Sequence, residues 1–397
     1  MVAPWLSQMP MPKALPLEMM SAWLAPVRDK LPDDLTIEES AALMQAVMAE
    51  ALSRLEAFMA GVRAYQEVQA APVDRRDAQV IWQAGTTRLL DYAPDNKAGK
   101  VILVVPSLVN RFAILDIDEA HSFLRFLAAQ GFHPLVVDWD APAQEEKDFA
   151  LSDYMTQRLV PVLATAKVKA GGKPVHVMGY CMGGVLAMAL ALMKPDEVKT
   201  LTLMATPWDF GVGGVGGVPA AHTPAGRFFL DHALQMQPYL EKAGIVPPSI
   251  LQMVLTGFQP LQILQKFTRF ASLEPQSEKA KRFALTEDWL NDGVPLTVSV
   301  ARECLQEWYA KNVLASCAWS VAGVRVDPAA LTMPCYVLAA KQDKIVPPES
   351  ALPLAELIKG AALHEPDIGH IGLMVGDKAK TLVWEPYVQW LLRNRTA

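Results

Sequence analysis

The sequence predicts an α/β fold, a mostly parallel sheet flanked by helices, and three observations carry that prediction. Short apolar runs alternate with helical stretches from about residue 100 onward. The runs "KVILVVPSL", "HPLVVDW", "PVHVMG" and "KTLTLMATP" are rich in β-branched residues and barely alternate with polar ones, as strands buried on both faces require. The third of them passes straight into a helix of small and apolar residues through "GYCMGG", a pattern that fits a sharp strand-to-helix turn.

Taken in order, residues 1–78 read as a helical extension. Thr36 and Glu39 form a capping-box pattern, and Leu43, Val47, Leu52, Leu55 and Phe58 recur at helical spacing. "PVDRRD" (72–77) is a polar break, and "AQVIWQA" and "TRLLDYA", joined by "GT", are two strand candidates. The first buried strand starts at Lys100 and is followed by a helix over 117–130. "HPLVVDW", a helix over 151–169, "PVHVMG", a helix over 182–194 and "KTLTLMATP" (199–207) continue the alternation, with right-handed crossovers between parallel strands. Regularity fails from Trp208 to about Pro328. That stretch opens with "DFGVGGVGGVPAAHTPAG", is mostly helical afterwards and sits between two strands, so it reads as an inserted cap over 208–328. The glycine-rich piece lacks a G-K-[ST] ending, and a hinge or loop is the better reading than a phosphate cradle. The sheet resumes with "CYVLAAKQD" (335–343). A helix over 349–359, a short strand "ALHEP" and a helix over 378–393 follow. The α/β core thus comprises 79–207 and 329–397.

Composition narrows the function classes. The 397 residues are 52% hydrophobic, enough for a large core, and the net charge of −6 comes from interspersed acids and bases. The absence of a basic stripe argues against nucleic-acid binding. Cys181, Cys304, Cys317 and Cys335 show no CxxC spacing, which argues against a zinc site or a disulfide framework and fits a reducing cytoplasm. The histidines show no H-E-x-x-H spacing, so no metal is expected. The first residues lack the pattern of a signal peptide, and no run reaches the about 18 apolar residues of a membrane span. Eighteen methionines and ten tryptophans fill a core or line a greasy channel.

The turn at 179–183 carries the chemistry. G-x-C-x-G at the end of a strand is the nucleophile-elbow pattern of the α/β-hydrolase fold, with Cys181 in the nucleophile position. The helix N-terminus behind it favours a thiolate, and the Met182 amide is placed to donate to an oxyanion. A second donor is expected from the loop after the third strand, around Leu108 and Val109. The fold orders its triad as nucleophile, acid, base. Asp343 follows a late strand in "LAAKQDKIVPPES", and His370 lies in the loop "PDIGHIGLMVG". Other groups compete. His176 reads as a core histidine, His364 lies on a short strand, and Asp367 precedes His370 too closely to orient it. Asp138 and Asp140, at the end of "VVDWD", are alternatives to Asp343 or pocket residues.

A thiol nucleophile suits thioesters, because exchange of one thiol for another is nearly balanced and leaves the acyl group activated. Water as the next acceptor makes a hydrolase; a hydroxyl makes an ester-forming transferase. Here the motifs resemble those of the polyhydroxyalkanoate synthases. "GYCMGG" is similar to their lipase-like box, "VPSLVNRFAILDI" (105–117) to their segment after the third strand, and "KQDKIVP" and "GHIG" to their aspartate and histidine segments. The likeness spans about residues 80–395. It implies transfer of 3-hydroxyacyl groups from coenzyme A to a growing polyester, with Cys181 acylated, His370 the general base and Asp343 its partner or an activator of the hydroxyl. It also implies coenzyme A as substrate rather than bound cofactor. Its phosphates would fall to Arg111 or cap lysines, and a homodimer, a second synthase subunit or a polymer granule surface would be the partners. Residues ahead of the sheet do not resemble the synthases' long N-terminal domain, and "WLNDG" (289–293) echoes another family segment only loosely. "VDWDAP…LSDYM" is similar to intracellular polyester depolymerases. A depolymerase or acyl-CoA thioesterase is therefore the alternative, and an inactive granule scaffold is disfavoured by the presence of all three triad residues.

Overall fold

Alternation along the buried strands builds two cores, one on each face of a central sheet. The computed structural model describes residues 36–72, 78–96, 99–257 and 260–394. The readings of residues 1–35 and of the break at 73–77 lie outside the described residues. The sheet has eight strands: β1 (Gln79–Ala84), β2 (Thr87–Asp91), β3 (Lys100–Val105), β4 (Phe132–Asp138), β5 (Val175–Tyr180), β6 (Val198–Met204), β7 (Cys335–Leu338) and β8 (Ala362–His364). Their order is β1-β2-β4-β3-β5-β6-β7-β8. β1 and β2 pair antiparallel, as do β2 and β4; every pairing from β4 to β8 is parallel.

Period-two geometry sends neighbouring residues of β3 to opposite faces. Leu103 and Val105 join one core, with Leu163 and Leu186 of the helices Val160–Lys169 and Met182–Met193. Ile102 and Val104 join the other, with Leu124 of Phe123–Ala129 and Tyr387 of Glu385–Arg393. Each such side chain is worth roughly 1.5–3 kcal/mol when fully buried, and this two-sided burial is why the runs read as nearly continuous apolar sequence.

The helix expected over 117–130 is shorter. A 3-10 turn, Phe112–Leu115, comes first, and the α-helix spans Phe123–Ala129. Asp116 is fully buried and holds the intervening loop, accepting from Tyr92 Oη at 2.9 Å and Arg125 Nε at 3.2 Å. Ser122 then caps the helix by accepting the Arg125 N–H. A buried carboxylate with distant partners thus displaces the first turns of helix.

Between β6 and β7 the chain is largely helical: Pro224–Ala243, Pro248–Gly257, Pro260–Phe270, Glu278–Asn291 and Val298–Glu303, the last continuing into a π-helical stretch, Cys304–Ala310. Two short antiparallel pairs interrupt it, Ile245–Val246 with Leu296–Thr297 and Ser320–Val321 with Val324–Arg325. The N-terminal helix Ile37–Glu67 starts with the expected capping box at Thr36 and Glu39. Its second half packs against Pro260–Phe270, where Phe58 and Tyr65 both meet Phe267 edge to face. Among the described residues, no helix is long and apolar enough to cross a membrane.

The strand-to-helix turn after β5 is tightly packed. A Cβ on Gly183 would lie 2.1 Å from the Val105 carbonyl oxygen, and one on Gly184 would lie 1.8 Å from Thr206 Oγ1. Glycine at these positions lets the helix Met182–Met193 press against the ends of β3 and β6. Gly183→Ala is therefore expected to destabilise the protein by roughly 1–3 kcal/mol, the usual cost of overpacking. A thermal melt reads this directly, and an unchanged Tm would mean that the close approach to β3 is absent.

Candidate active site

Cys181 is held at φ 55°, ψ −131°, a left-handed conformation that costs a non-glycine residue about 1–3 kcal/mol. Two backbone bonds hold it there. Its N–H donates to the Met204 carbonyl at 2.9 Å, and its own carbonyl accepts from the Gly184 N–H at 2.9 Å. The result is a half-exposed thiol at the head of the helix Met182–Met193.

Asp343 and His370 meet beside it. The loop after β7 buries Asp343, whose Oδ1 accepts the N–H groups of Ile345 and Val346, each at 2.8 Å. Its other oxygen, Oδ2, lies 2.7 Å from His370 Nδ1. That bond commits Nδ1 to the carboxylate and leaves Nε2 for the thiol side. The imidazole is buried and also hydrogen-bonds Cys181. Burial pulls the His370 pKa down, but the charges of Cys181 and Asp343 and their hydrogen bonds override it and raise it from 6.5 to about 10. The groups on either side of the ring therefore favour its charged form. Tyr180 completes the setting: its ring packs on that of His370 with centroids 5.1 Å apart, and its hydroxyl donates to the His370 carbonyl at 3.1 Å.

A cavity of about 310 Å³ opens over Cys181 and His370. Its walls are chiefly apolar, with Phe210, Phe229, Leu251, Leu305 and Trp308 from the segment between β6 and β7. The glycine-rich stretch is part of this wall. Val215 and Gly216 border the cavity, and the Gly216 N–H donates to the Ile345 carbonyl at 2.6 Å, two residues beyond Asp343.

The expected oxyanion donors lie at the same place. Met182 begins the elbow helix and borders the cavity. Val109 also borders it, while the Leu108 side chain enters the core. This loop is fastened to the helical segment above it, for the Val294 N–H donates to the Val109 carbonyl at 2.9 Å and Trp289 Nε1 to the Arg111 carbonyl at 2.6 Å.

The competing residues are engaged elsewhere. His176 Nδ1 lies 2.8 Å from Thr200 Oγ1 within the core, and His364 Nε2 lies 2.7 Å from the Leu382 carbonyl. Asp367 accepts from Gln342 Nε2. Asp138 pairs with Arg88 at 2.5 Å, and burial raises its pKa even against that charge. Asp140 and Asp292 both hold Arg111, at 3.2 and 2.9 Å, so the guanidinium expected to meet phosphates is already neutralised by two carboxylates. Sequence reasoning did not single out Tyr180 or the tie from Gly216 to the acid loop; Tyr180's place beside the nucleophile was the available signal for the first. It also left out Cys304, which borders the same cavity. Burial first, and then Glu303, push the Cys304 thiol far up, and burial pushes Cys335 up to about 12, so both stay protonated. Among the described residues, no cluster of His, Cys, Asp and Glu is arranged to hold a metal ion.

A family model described as alpha/beta hydrolase fold matches residues 100–377. The chain belongs to the α/β-hydrolase fold family. A second model, described as the poly-beta-hydroxybutyrate polymerase (PhaC) N-terminus, matches residues 44–127. That match corrects the expectation that nothing ahead of the sheet resembles the synthases' N-terminal domain. The helical spacing of Leu43 to Phe58 is common to many helices, whereas the match runs from that helix through β1 to β3 and on to residue 127. The family resemblance read from the motifs is borne out by relatives. The poly(3-hydroxyalkanoate) polymerase subunit PhaC of Haloferax mediterranei is 28% identical over 336 residues, covering 82% of this chain and 65% of its own length. Those of Haloarcula marismortui and a Synechocystis species are 26% and 25% identical, covering 83% and 86% of this chain and 70% and 92% of theirs. The chain thus spans just under two thirds of the Haloferax protein. Among solved structures, a candidate lipase from Sulfolobus solfataricus shares the fold at a TM-score of 0.50 and 12% identity, covering 82% of this chain and 99% of that one.

The raised His370 pKa has a definite sign. The stability lent by its charge is complete below the ordinary value of 6.5 and is lost as pH climbs through about 10. The charge of Cys181 comes first among the influences raising it, so Cys181→Ala should bring the His370 titration down, with burial then opposed by Asp343 alone. NMR of the histidine rings follows the midpoint, and an unmoved midpoint would mean that the sulfur is not the source of the shift.

Proposed function

We propose that the chain is an acyltransferase of polyhydroxyalkanoate synthase type, moving 3-hydroxyacyl groups from coenzyme A thioesters onto a hydroxyl acceptor. The reading rests on one observation above all: an elbow cysteine, not a serine, faces a buried imidazole–carboxylate pair in a chain whose relatives are named poly(3-hydroxyalkanoate) polymerase subunits.

In this reading the Cys181 thiolate attacks the thioester carbonyl. The tetrahedral oxyanion is received by the amide of Met182 and by the loop at Leu108 and Val109. As the carbonyl re-forms, the C–S bond to coenzyme A breaks and the leaving thiolate takes a proton from the His370 imidazolium. The acyl group is now a thioester on Cys181, still activated. The neutral imidazole then removes the proton from an incoming hydroxyl, whose oxygen attacks the acyl carbon. An ester forms, the Cys181 thiolate is released, and His370 is an imidazolium again. Asp343 keeps the ring oriented and its charge compensated throughout, as an orienting carboxylate does.

The chiefly apolar walls favour the hydroxyl over water, because such a cavity holds few waters to compete for the acyl thioester. No resident cofactor enters the scheme, and coenzyme A comes and goes as substrate and product. The word subunit in the relatives' names supports a second chain as partner, alongside a homodimer. A free thiol nucleophile suits the reducing cytoplasm, and an insoluble product would hold the enzyme at a polymer granule.

Purified protein with 3-hydroxybutyryl-CoA should release free thiol and build hydroxyacyl oligomers or insoluble polyester. Release with free hydroxy acid as the sole product would make the chain a hydrolase instead. Cys181→Ala should abolish turnover, a loss on the order of 10⁶-fold for a triad nucleophile, and His370→Gln should lose most of it. Full activity in Cys181→Ala would remove the mechanism.

A further inference from the structure

The strands that deliver the active site at one end gather lysines at the other. Lys100 is the first residue of β3, Lys199 the second of β6, and Lys173 lies two residues before β5. β5 pairs with β3 on one side and β6 on the other, so the three lysines share one edge of the sheet. At about 3.3 Å per residue, strands of this length set that edge roughly 20 Å from the elbow.

A cavity of about 670 Å³ opens there, larger than the one over Cys181 and bordered by Lys100, Lys169, Lys173 and Lys199. Asp196 is the one carboxylate on its wall among the described residues. Lys169 is compensated from below by buried Asp91 at 2.7 Å. Lys100 and Lys173 have no ion pair among the described residues. Lys199 feels both of them: burial first, then the charges of Lys100 and Lys173, lower its pKa. Ammonium groups that repel one another thus converge on a hollow in a chain whose net charge is −6.

We propose that this cavity binds a small molecule carrying a diphosphate group. Lysine is a point-charge partner for phosphate oxygens, and several lysines around one hollow suit a multiply charged anion. The volume admits a diphosphate together with a substituent. Because the core lies between this site and Cys181, the ligand occupies it without displacing the acyl group, and the proposal does not depend on the acyl transfer.

Calorimetric titration of the intact protein at low salt tests it, with inorganic pyrophosphate and ADP as probes. Saturable binding is expected, weakening as salt is added. Replacing Lys100, Lys173 and Lys199 together by Gln should weaken it by about tenfold or more, while Tm and the rate of Cys181 alkylation stay as in the wild type. Tighter binding of ADP than of pyrophosphate identifies a nucleotide as the ligand; equal binding identifies the diphosphate alone. Should the triple variant fail to fold, Lys173→Glu at an exposed position gives the same reading. No saturation by either probe below about 1 mM, or equal affinity in the variants, would overturn the proposal.

Discussion

A single backbone constraint organises this molecule: the left-handed turn at Cys181. The turn persists because β6 and the first residues of the following helix hold the Cys181 amide and carbonyl. It is possible at all because Gly183 and Gly184 carry no side chains where the helix crosses β3 and β6. Once the thiol is aimed out of the carboxyl edge of the sheet, its base must come from a loop that reaches the same edge. The loops after β7 and β8 do so because those strands continue the parallel order beyond β6. Strand order, more than any one contact, brings residues 181, 343 and 370 together.

Charge in a dry place is the second theme. The imidazole of His370 lies between a carboxylate satisfied by two backbone amides and a sulfur at a helix N-terminus, and water reaches none of the pair freely. Interactions that would be weak in water are strong there, and they outweigh the cost of burying the ring's charge. Tyr180 adds rigidity by packing on the ring and bonding its backbone, so that the imidazole has little room to turn away from the thiol. Burial, joined at Cys304 by the charge of Glu303, raises the pKa of the Cys304 and Cys335 thiols and keeps both neutral.

The helical segment between β6 and β7 does more than roof the cavity. It is fastened to the loop after β3 through Val294 and Trp289, and to the acid loop through Gly216. The same segment therefore touches the region of the expected oxyanion donors and the loop that carries the orienting carboxylate. The walls of the cavity and the loops beside Cys181 thus share these hydrogen bonds.

Much of this was legible in the sequence, because it is written in local terms. Two-sided burial makes a strand apolar throughout, so β3 to β6 announce themselves. An elbow needs small residues at fixed offsets from the nucleophile, so "GYCMGG" is visible, and the order of acid and base along the chain follows from the topology. What depends on distant partners was not legible. The late start of the helix Phe123–Ala129 depends on a buried Asp116 held by Tyr92 and Arg125. The engagement of Arg111 depends on Asp140 and Asp292, which lie far from it and from each other in the chain. The glycine-rich stretch reads as a hinge until Gly216 is found bonded beside Ile345. The lysines at 100, 173 and 199 are unremarkable in a linear reading and become a cluster only when β3, β5 and β6 lie side by side. The sequence by itself determined the sheet, the elbow and the chain order of the cysteine, aspartate and histidine, since periodicity and close packing act between near neighbours. The tertiary structure alone decided which charges meet, because pairing across the sheet is set by strand order and not by distance along the chain.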